Sequence, residues 1–503
     1  MRNPLLKKEI FSVYNWPFWV GVALLVKGVQ FFAVIFGAHY SDIPGTWAVF
    51  GGDAISYLQP VENLINNDAY TPDDRMPGYG AVYLFFRLFF NKANAVDCVV
   101  LAQYILDAVT IYVLALAAHK LFKSRFVFLG VYGVALVSFH SSVYSSLFLT
   151  ESFTVSATIL MLYFLILFEE KQQTKYLLVA GAFWTWIVFL RPVFLPIGAL
   201  IVGLWGVQWL LKRHTFQRFA KISILFLLPF LIVDTAWIVR NYPIHKRIVP
   251  LSPVFWYASS YESGMVNLLA FIQSFGGGFI DPSSLINWFG VASIQMQTGI
   301  YVSGPPNTSI VLPTDIYTSK FSEDSLLKLR AILNVAWGAK TDSLTKAKYQ
   351  RTLRDKLANY TASIREEKPF LYYVKAPLRH TLLFFDYKNS WYSGGLFEVP
   401  PQVPQLSGKK IYYLKYAVKQ LCAALYYAIL IFGVIGIVLV ALQNTWRMSH
   451  FVALASLYSI VIFPVVLRMP EPRYFLPAYP FMIVCGVFAI WQIKLKFEPK
   501  KGH

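Results

Sequence analysis

The chain is short of charge, and of acidic residues in particular. Only 14% of its 503 residues are charged, and 26 acidic residues stand against 45 basic ones. Soluble domains carry roughly a quarter charged residues. Because 56% of the residues are hydrophobic, no soluble fold could hide so much apolar surface, and the composition indicates a polytopic membrane protein.

Cysteine is equally scarce. Cys98, Cys422 and Cys485 all lie in apolar segments, so we expect no structural disulfide. The sequence also lacks an internal repeat and a heptad run. A transporter or lipid-linked glycan flippase, which would be built from repeated halves with polar groups near the bilayer midplane, is therefore kept only as the non-enzyme alternative.

Long apolar runs are what the chain has in abundance, and a spanning helix needs about 20 apolar residues. We predict an all-α polytopic membrane protein of about 10 transmembrane helices, with interfacial helices at 79–91 and 370–385. The spans are expected near residues 17–38, 97–118, 126–146, 152–168, 176–190, 193–211, 222–239, 415–440, 451–468 and 475–492.

The basic residues fall mainly in short loops between these runs. The net charge of +19 therefore indicates topology rather than a nucleic-acid partner. One orientation, with both termini cytoplasmic, puts every basic loop on the cytoplasmic side, namely 119–125, 169–175, 212–221, 443–450 and 494–503.

This orientation predicts three regions. Residues 1–240 form an N-terminal transmembrane module with a first outer loop at 39–96. Residues 241–410 form one large, partly helical extracytoplasmic loop domain. Residues 411–503 form the last transmembrane helices and a basic cytoplasmic tail.

Ionisable residues of both signs gather next to the spans on the predicted outer side. Charge near a bilayer is costly, so such a gathering indicates a functional site. Its members are Asp53, Asp73, Asp74, Arg75, Glu151, Arg191, Asp234, Arg240, Arg468, Glu471 and Arg473.

Each of these residues also has a purely structural interpretation. Asp53 could cap a helix that begins at Ala54, although Pro60 would then interrupt that helix. Glu151 could be a first-turn carboxylate favoured by the helix dipole. Arg240 and Arg473 could be snorkelling residues at span ends.

A series of motifs then follows in order along the chain. An aspartate follows the first span in GGDAISYL, and charged residues precede Pro-Gly-Tyr in DDRMPGYG. Thr-Glu, Arg-Pro and Arg-Asn-Tyr follow the third, fifth and seventh spans, and Arg-Tyr-Phe-Leu-Pro opens the last. In this series the chain resembles the GT-C superfamily of integral membrane glycosyltransferases, most closely the branch of protein O-mannosyltransferases and aminoarabinose transferases.

The resemblance implies transfer of a hexosyl or pentosyl group from a polyprenyl-phosphate carrier, such as undecaprenyl phosphate, to a protein, lipid or glycan acceptor. It implies a bacterial inner-membrane protein with its active site facing the periplasm. It assigns catalysis to Asp53 and to the second-loop carboxylate Glu151, with Tyr57, Asp74 and Arg75 in the first outer loop. Many relatives carry a second acid directly after the first, where this chain has Ala54.

A phosphate leaving group needs no protonation, so one base suffices, unlike glycoside hydrolysis with its two carboxylates. We expect Asp53 to accept the acceptor's hydroxyl proton, with inversion at the anomeric carbon. The expected donor-phosphate ligands are Arg75, Arg240 and Arg473, and Tyr57, Asp74, Arg191 and Tyr474 complete the expected substrate site.

Two further points stay open at this stage. An O-antigen-type polymerase or ligase is the enzymatic alternative, because it would share the large outer loop and the arginines. A divalent metal is possible, since Asp53, Asp74 and Glu151 could converge, but the chemistry does not require one.

Overall fold

A computed structural model describes residues 12–38, 43–50, 53–71, 75–246, 248–251, 264–277, 285–295, 299–302, 307, 310, 312–337, 341–387, 409–443 and 446–497. The chain divides into two compact units. The larger comprises residues 1–252, 387–459 and 473–503, and the smaller comprises 253–386 and 460–472.

The larger unit is helical. Its helices in chain order are α1 (Trp16–Ala38), α2 (Ala54–Asn67), α3 (Pro77–Arg87), α4 (Lys92–Phe122), α5 (Arg125–Val137), α6 (Phe139–Ser142), α7 (Glu151–Lys171), α8 (Thr174–Leu190), α9 (Leu195–Leu210) and α10 (Phe216–His245). After the smaller unit the chain returns with α16 (Lys409–Ala441), α17 (Met448–Val461) and α18 (Tyr479–Phe497).

Among the described residues, eight helices are long and apolar enough to cross a membrane. They coincide with eight of the ten predicted spans, which confirms the polytopic, helical class. The predicted spans at 176–190 and 126–146 correspond to shorter apolar helices, α8 with 17 residues and α5 with 13.

The prediction of one continuous helix over 126–146 is wrong for a physical reason. Backbone at Ser138 turns extended and ends α5, and Lys27 of α1 donates to the Ser138 carbonyl at 2.9 Å. A buried ammonium needs acceptors. The Ser138 carbonyl, which a continuous helix would use internally, therefore accepts from Lys27 instead.

Helix α7 is the buried centre of this unit. Most of its residues are buried, and the buried residues lie on all sides of the helix, as expected for a helix surrounded by others. The neighbouring α8 follows it after a turn at Gln172, which adopts the left-handed conformation that commonly ends a helix. The first residue of α7 is Glu151, so this helix fixes a carboxylate at one end of the bundle.

The smaller unit contains helices α11 (Met265–Ser274), α12 (Leu285–Trp288), α13 (Glu323–Ala336), α14 (Ser343–Glu367) and α15 (Ala376–Phe384), with strands β1 (Val291–Gln295) and β2 (Gly299–Val302). The strands pair antiparallel, a short hairpin inside a region predicted to be helical or irregular. Phe271, Leu329 and Leu357 belong to its buried core. Within the predicted interfacial helix 370–385, a π-helical turn at Leu371–Lys375 precedes α15.

Candidate active site

Two loops of the larger unit are tied together by backbone hydrogen bonds. Val49 donates to the Ser146 carbonyl at 3.2 Å, and Phe148 donates to the Val49 carbonyl at 3.1 Å, which forms a parallel bridge between Val49 and Leu147. Asp53 lies four residues after Val49, and Glu151 lies four residues after Leu147. The bridge therefore brings two carboxylates from distant parts of the chain to one place.

Asp53 immediately precedes α2, as the capping interpretation required, but its carboxylate caps none of the described backbone N–H groups of that helix. The expectation that Pro60 would interrupt such a helix is wrong, because α2 runs through Pro60 to Asn67. With Pro60 in α2, the helix still buries Ala54, Tyr57 and Leu58. Helix α2 thus presents Asp53 at its start while anchoring itself by its apolar side.

The Asp53 carboxylate is held between two arginines. Its Oδ1 lies 2.9 Å from Nη2 of Arg75, and its Oδ2 accepts from Nη1 of Arg473 at 2.8 Å. The three side chains are 32%, 24% and 25% exposed, respectively. The group is thus partly dry, where charge–charge interactions are stronger than in water, yet open to a ligand.

Arg75 is oriented by the first turn of α2. Its Nε donates to Ser56 Oγ at 2.8 Å and its Nη1 to the Tyr57 hydroxyl at 3.3 Å. Its guanidinium also lies 4.7 Å from the centre of the Tyr57 ring, a cation–π distance. These contacts hold the guanidinium in one direction before any ligand arrives.

The Pro-Gly-Tyr-Gly stretch explains how the chain after Arg75 reaches this place. A Cβ on Gly78 would lie 2.5 Å from the carbonyl oxygen of Phe189, near the end of α8. Only glycine permits this approach of two backbones. The contact fixes the start of α3 beside the segment that leads into Arg191.

A second ion pair lies beside the first. Arg191 Nη1 donates to Glu151 Oε1 at 2.5 Å, and Glu151 is 2% exposed. The same carboxylate oxygen lies 3.9 Å from Nη1 of Arg473. The ring of Tyr474 lies 4.6 Å from the Arg191 guanidinium carbon. Glu151 therefore connects Arg191 to the arginine that holds Asp53.

The arginines dominate the protonation state of Asp53. Burial alone would raise the pKa of its carboxyl, but the charges of Arg473 and Arg75 outweigh burial and hold the pKa well below its ordinary value. The hydrogen bond from Arg473 and the charge of Arg191 act in the same direction. Asp53 is therefore an anion throughout the physiological range.

Two expected members of the site, Arg240 and Asp74, are not seen with the Asp53 group. Arg240 makes its contacts elsewhere, with the carbonyl of Tyr70 and the rings of Tyr70 and Trp237. Asp74 lies outside the described residues. Within the described ranges no group of three or more His, Cys, Asp or Glu side chains has the arrangement of a metal site.

An apolar cleft of about 1080 Å³ is lined in part by residues that follow or precede the site arginines closely in the sequence. Pro77 and Gly78, just after Arg75, form part of its wall, as does Phe189, two residues before Arg191. Trp237, on which Arg240 stacks, lines another part. Phe85 is 59% exposed, so the cleft opens to the surroundings of the helices. Sequence reasoning missed this cleft and the role of Ser56, whose only signal was its position three residues after Asp53.

Helices long enough to span a bilayer, together with carboxylates held by arginines at helix ends, define the class of protein: a polytopic helical membrane protein with a group of paired carboxylates and arginines. Residues 78–233 match the model of the family described as dolichyl-phosphate-mannose-protein mannosyltransferase. This match confirms the resemblance to GT-C membrane glycosyltransferases for that part of the chain. The matched range contains Glu151 and Arg191, whereas Asp53, Arg75 and Arg473 lie outside that range.

Among solved structures, the chain is similar to the archaeal oligosaccharyltransferase AglB from Archaeoglobus fulgidus, solved in complex with an inhibitory peptide and a dolichol-phosphate. The similarity has 13% sequence identity and a TM-score of 0.46, and it covers 97% of this chain and 53% of that one. The chain thus spans about half the length of that protein. The comparison with curated proteins gives no match.

Proposed function

We propose that the chain transfers a sugar from a polyprenyl-phosphate-linked donor to an acceptor hydroxyl, at the extracytoplasmic face of a bacterial inner membrane and with both termini in the cytoplasm. The observation that carries the proposal is the Asp53 carboxylate held by Arg75 and Arg473, in a chain whose apolar cleft is lined from Pro77 onward, two residues after Arg75. The family that matches residues 78–233 is named for a dolichyl-phosphate-linked sugar donor, which supports this donor class.

The reaction needs one base and an anion site. Asp53 accepts the proton of the acceptor hydroxyl while that oxygen attacks the anomeric carbon from the face opposite the phosphate. The bond between the anomeric carbon and the phosphate oxygen breaks, and its electron pair leaves with the prenyl phosphate. The sugar is thereby transferred with inversion, and the proton stays on Asp53 until solvent removes it.

Arg75 and Arg473 serve the phosphate. Guanidinium groups bind phosphate through forked donors, and positive charge fixed before the reaction stabilises the leaving group as its charge grows. Without donor, both arginines are engaged with Asp53. A donor phosphate competes with the carboxylate for them, and this competition raises the basicity of Asp53 when it is needed.

The apolar cleft suits the prenyl tail. Its wall starts within three residues of Arg75 and is formed by apolar side chains such as Val82, Phe85 and Leu106. Burying hydrocarbon contributes about 0.8 kcal/mol per CH₂, so a long tail supplies much of the donor affinity. Arg240, which stacks on cleft-lining Trp237, is proposed as a further phosphate contact at the rim.

The remaining candidate residues either hold another side chain in place or contact the sugar. Glu151 lies 3.9 Å from Arg473 and is itself fixed by Arg191, so we assign both to holding Arg473 in place. The ring of Tyr57 lies against the guanidinium of Arg75 and helps to hold it in place. Tyr474, which lies against Arg191, and Asp74 are proposed to contact the sugar.

The competition between phosphate and carboxylate predicts two different pH profiles. In the free enzyme the low pKa of Asp53 keeps it ionised, so kcat/KM for the donor should stay flat into the acid range. With donor bound, the arginines shift to the phosphate and the Asp53 pKa rises. The acid limb of kcat should therefore lie at least about one unit higher in pH than that of kcat/KM.

Rates measured from acid to neutral pH, at limiting and at saturating donor, give the two profiles. Coinciding acid limbs would argue against competition for the arginines. The effect on stability is a separate matter. Because the Asp53 pKa is depressed in the folded state, its carboxylate stabilises the fold at pH values above the unfolded pKa of about 3.9. This contribution is lost only as the pH falls through the folded pKa.

The function itself is tested with purified chain, candidate prenyl-phosphate sugars and membrane acceptors, followed by mass spectrometry of products. We expect release of prenyl phosphate and a product heavier by one sugar. The variant Ala182→Phe narrows the cleft, so it should raise the KM of a long-tailed donor by about tenfold, equal to ~1.4 kcal/mol. A donor with a short tail should be much less affected.

Ala199→Phe is the matched control, because Ala199 is an exposed residue of α9 that does not line the cleft. It should leave both donors unchanged. A product heavier by a whole oligosaccharide would favour the ligase alternative, and no consumption of any prenyl-phosphate sugar would count against the proposal. If Ala182→Phe affected both donors equally, the prenyl tail would not bind in this cleft.

A further inference from the structure

A second cleft lies at the other end of the helix that carries Glu151. Its volume is about 700 Å³, and its walls come from the segments around Lys120, Glu170, Arg213 and Arg447. Glu170 is 19 residues from Glu151 on α7, which corresponds to about 28 Å along a helix. Since the hydrocarbon core of a bilayer is about 30 Å thick, the two ends of α7 reach opposite membrane surfaces. The second cleft thus lies far from the Asp53 group.

The charge of this cleft is strongly positive. Its cations are Lys120, Lys123, Arg213, Arg218 and Arg447, and its two carboxylates are Glu169 and Glu170. Glu170 is already neutralised by Lys120 at 2.6 Å and Lys123 at 3.3 Å. The three arginines then face a single further carboxylate, so the cleft retains an excess of positive charge.

The cleft has an apolar floor beneath this cationic rim. Ile166, Phe168, Trp205 and Ile222 line it and are buried, whereas Arg213, Arg218 and Arg447 are exposed. A ligand that uses both parts must combine negative charge with hydrocarbon. A small inorganic anion would bind the rim and leave the floor unused.

Hydrogen bonds connect the walls of the cleft. Gln208 donates from Nε2 to the carbonyl of Trp446, and its Oε1 lies 3.0 Å from Nε2 of His214. The pKa of His214 is lowered by burial and by the charge of Arg218, so this ring is neutral at pH 7 and serves as a hydrogen-bonding strut. These hydrogen bonds therefore hold the turns after α9 and α16 together.

We propose that this cleft binds the phosphate headgroup of an anionic phospholipid in the leaflet opposite the Asp53 group. The arginines bind the phosphate through their forked donors, and the apolar floor packs against the glycerol and the first methylenes of the acyl chains. The site joins four segments of the bundle, so an occupied site should stabilise the larger unit. The proposal is independent of sugar transfer.

The test uses the full chain in a neutral detergent, with thermal unfolding followed as lipid is added. The probes are dioleoyl phosphatidylglycerol, dioleoyl phosphatidylcholine and inorganic phosphate at equal phosphate concentration. We expect phosphatidylglycerol to raise the unfolding midpoint saturably and the other two to have much smaller effects. The variant Arg213→Gln/Arg218→Gln/Arg447→Gln should weaken the apparent affinity for phosphatidylglycerol at least about tenfold.

The charge-matched control is Lys175→Gln/Lys212→Gln/Lys221→Gln, which removes three cations from the same helix ends without touching the lining of the cleft. It should bind phosphatidylglycerol like the wild type, as should Asp53→Asn. Equal weakening by both triple variants would mean diffuse surface charge and would overturn the site. Equal stabilisation by inorganic phosphate would replace the lipid with a free anion and overturn the assigned ligand.

Discussion

Replacing Asp53 with Asn should reduce sugar transfer by about 10²- to 10⁴-fold, the usual contribution of a general base. Asn has nearly the same shape but cannot accept the proton at physiological pH. Donor binding should be kept or improved, because Arg75 and Arg473 no longer have a carboxylate competing for them. The expected signature is thus a large fall in kcat with an unchanged or lower KM for the donor.

The fold should tolerate this change. Asp53 is 32% exposed, whereas Glu151 is 2% exposed, so water can solvate the arginines that lose their partner and the loss of stability should be smaller than for the buried pair. The loss of rate would then be a chemical effect, which thermal unfolding and size-exclusion chromatography of the variant can verify.

Asp68→Asn is the matched control, since Asp68 stands at the other end of the same helix. It adopts the left-handed conformation with φ of 54°, which Asn accepts readily. This variant should keep its activity within about twofold of the wild type. Unchanged activity of Asp53→Asn would remove Asp53 from catalysis, and equal losses in both variants would point to a general effect on α2.

Much of the layout could be predicted from the sequence, because it follows from local patterns. Eight of the predicted apolar runs form helices of spanning length, and the basic loops predicted which helix ends share a side. Charged residues at the other ends were expected to gather, and Asp53, Arg75, Glu151, Arg191 and Arg473 do lie together. Asp53 and Arg473 are 420 positions apart, and the sequence connects them only through the predicted orientation, which puts both on one side of the membrane.

What could not be predicted depends on contacts between distant segments. Nothing local marks Val49 as the partner of Leu147, although that bridge brings the carboxylates together. At Ser138, where α5 ends, the backbone carbonyl accepts a hydrogen bond from Lys27, which comes from another helix. Arg240 carries the same motif signal as Arg473, yet its guanidinium lies against the rings of Tyr70 and Trp237.

The two ion pairs of the site differ in burial, and this difference decides what each can do. Asp53 and its arginines stay accessible, so they can exchange partners with a ligand at little cost. Glu151 is 2% exposed and the Arg191 side chain 10%, so neither can lose its partner without leaving a buried charge. The exposed pair is therefore suited to chemistry and the buried pair to support.

Glu151→Gln should accordingly be the most destabilising substitution in the site. It leaves the guanidinium of Arg191 buried without its carboxylate, and breaking a buried pair by removing one partner costs about 3–5 kcal/mol. Thermal or denaturant unfolding in detergent measures this loss. Adding Arg191→Met to the same chain removes the unpaired charge and should restore most of the stability.

Measurements of activity distinguish two roles for this pair, holding Arg473 in place and only stabilising the fold. If Glu151 and Arg191 hold Arg473 in place, the double variant should regain stability while its kcat stays low, because Arg473 has lost the carboxylate 3.9 Å away. Glu62→Gln is the control: it breaks another ion pair of the same unit, Glu62 with Arg87 at 2.9 Å. That variant should lose stability but keep kcat when assayed below its unfolding midpoint. Full recovery of kcat in the double variant would limit Glu151 and Arg191 to a structural role.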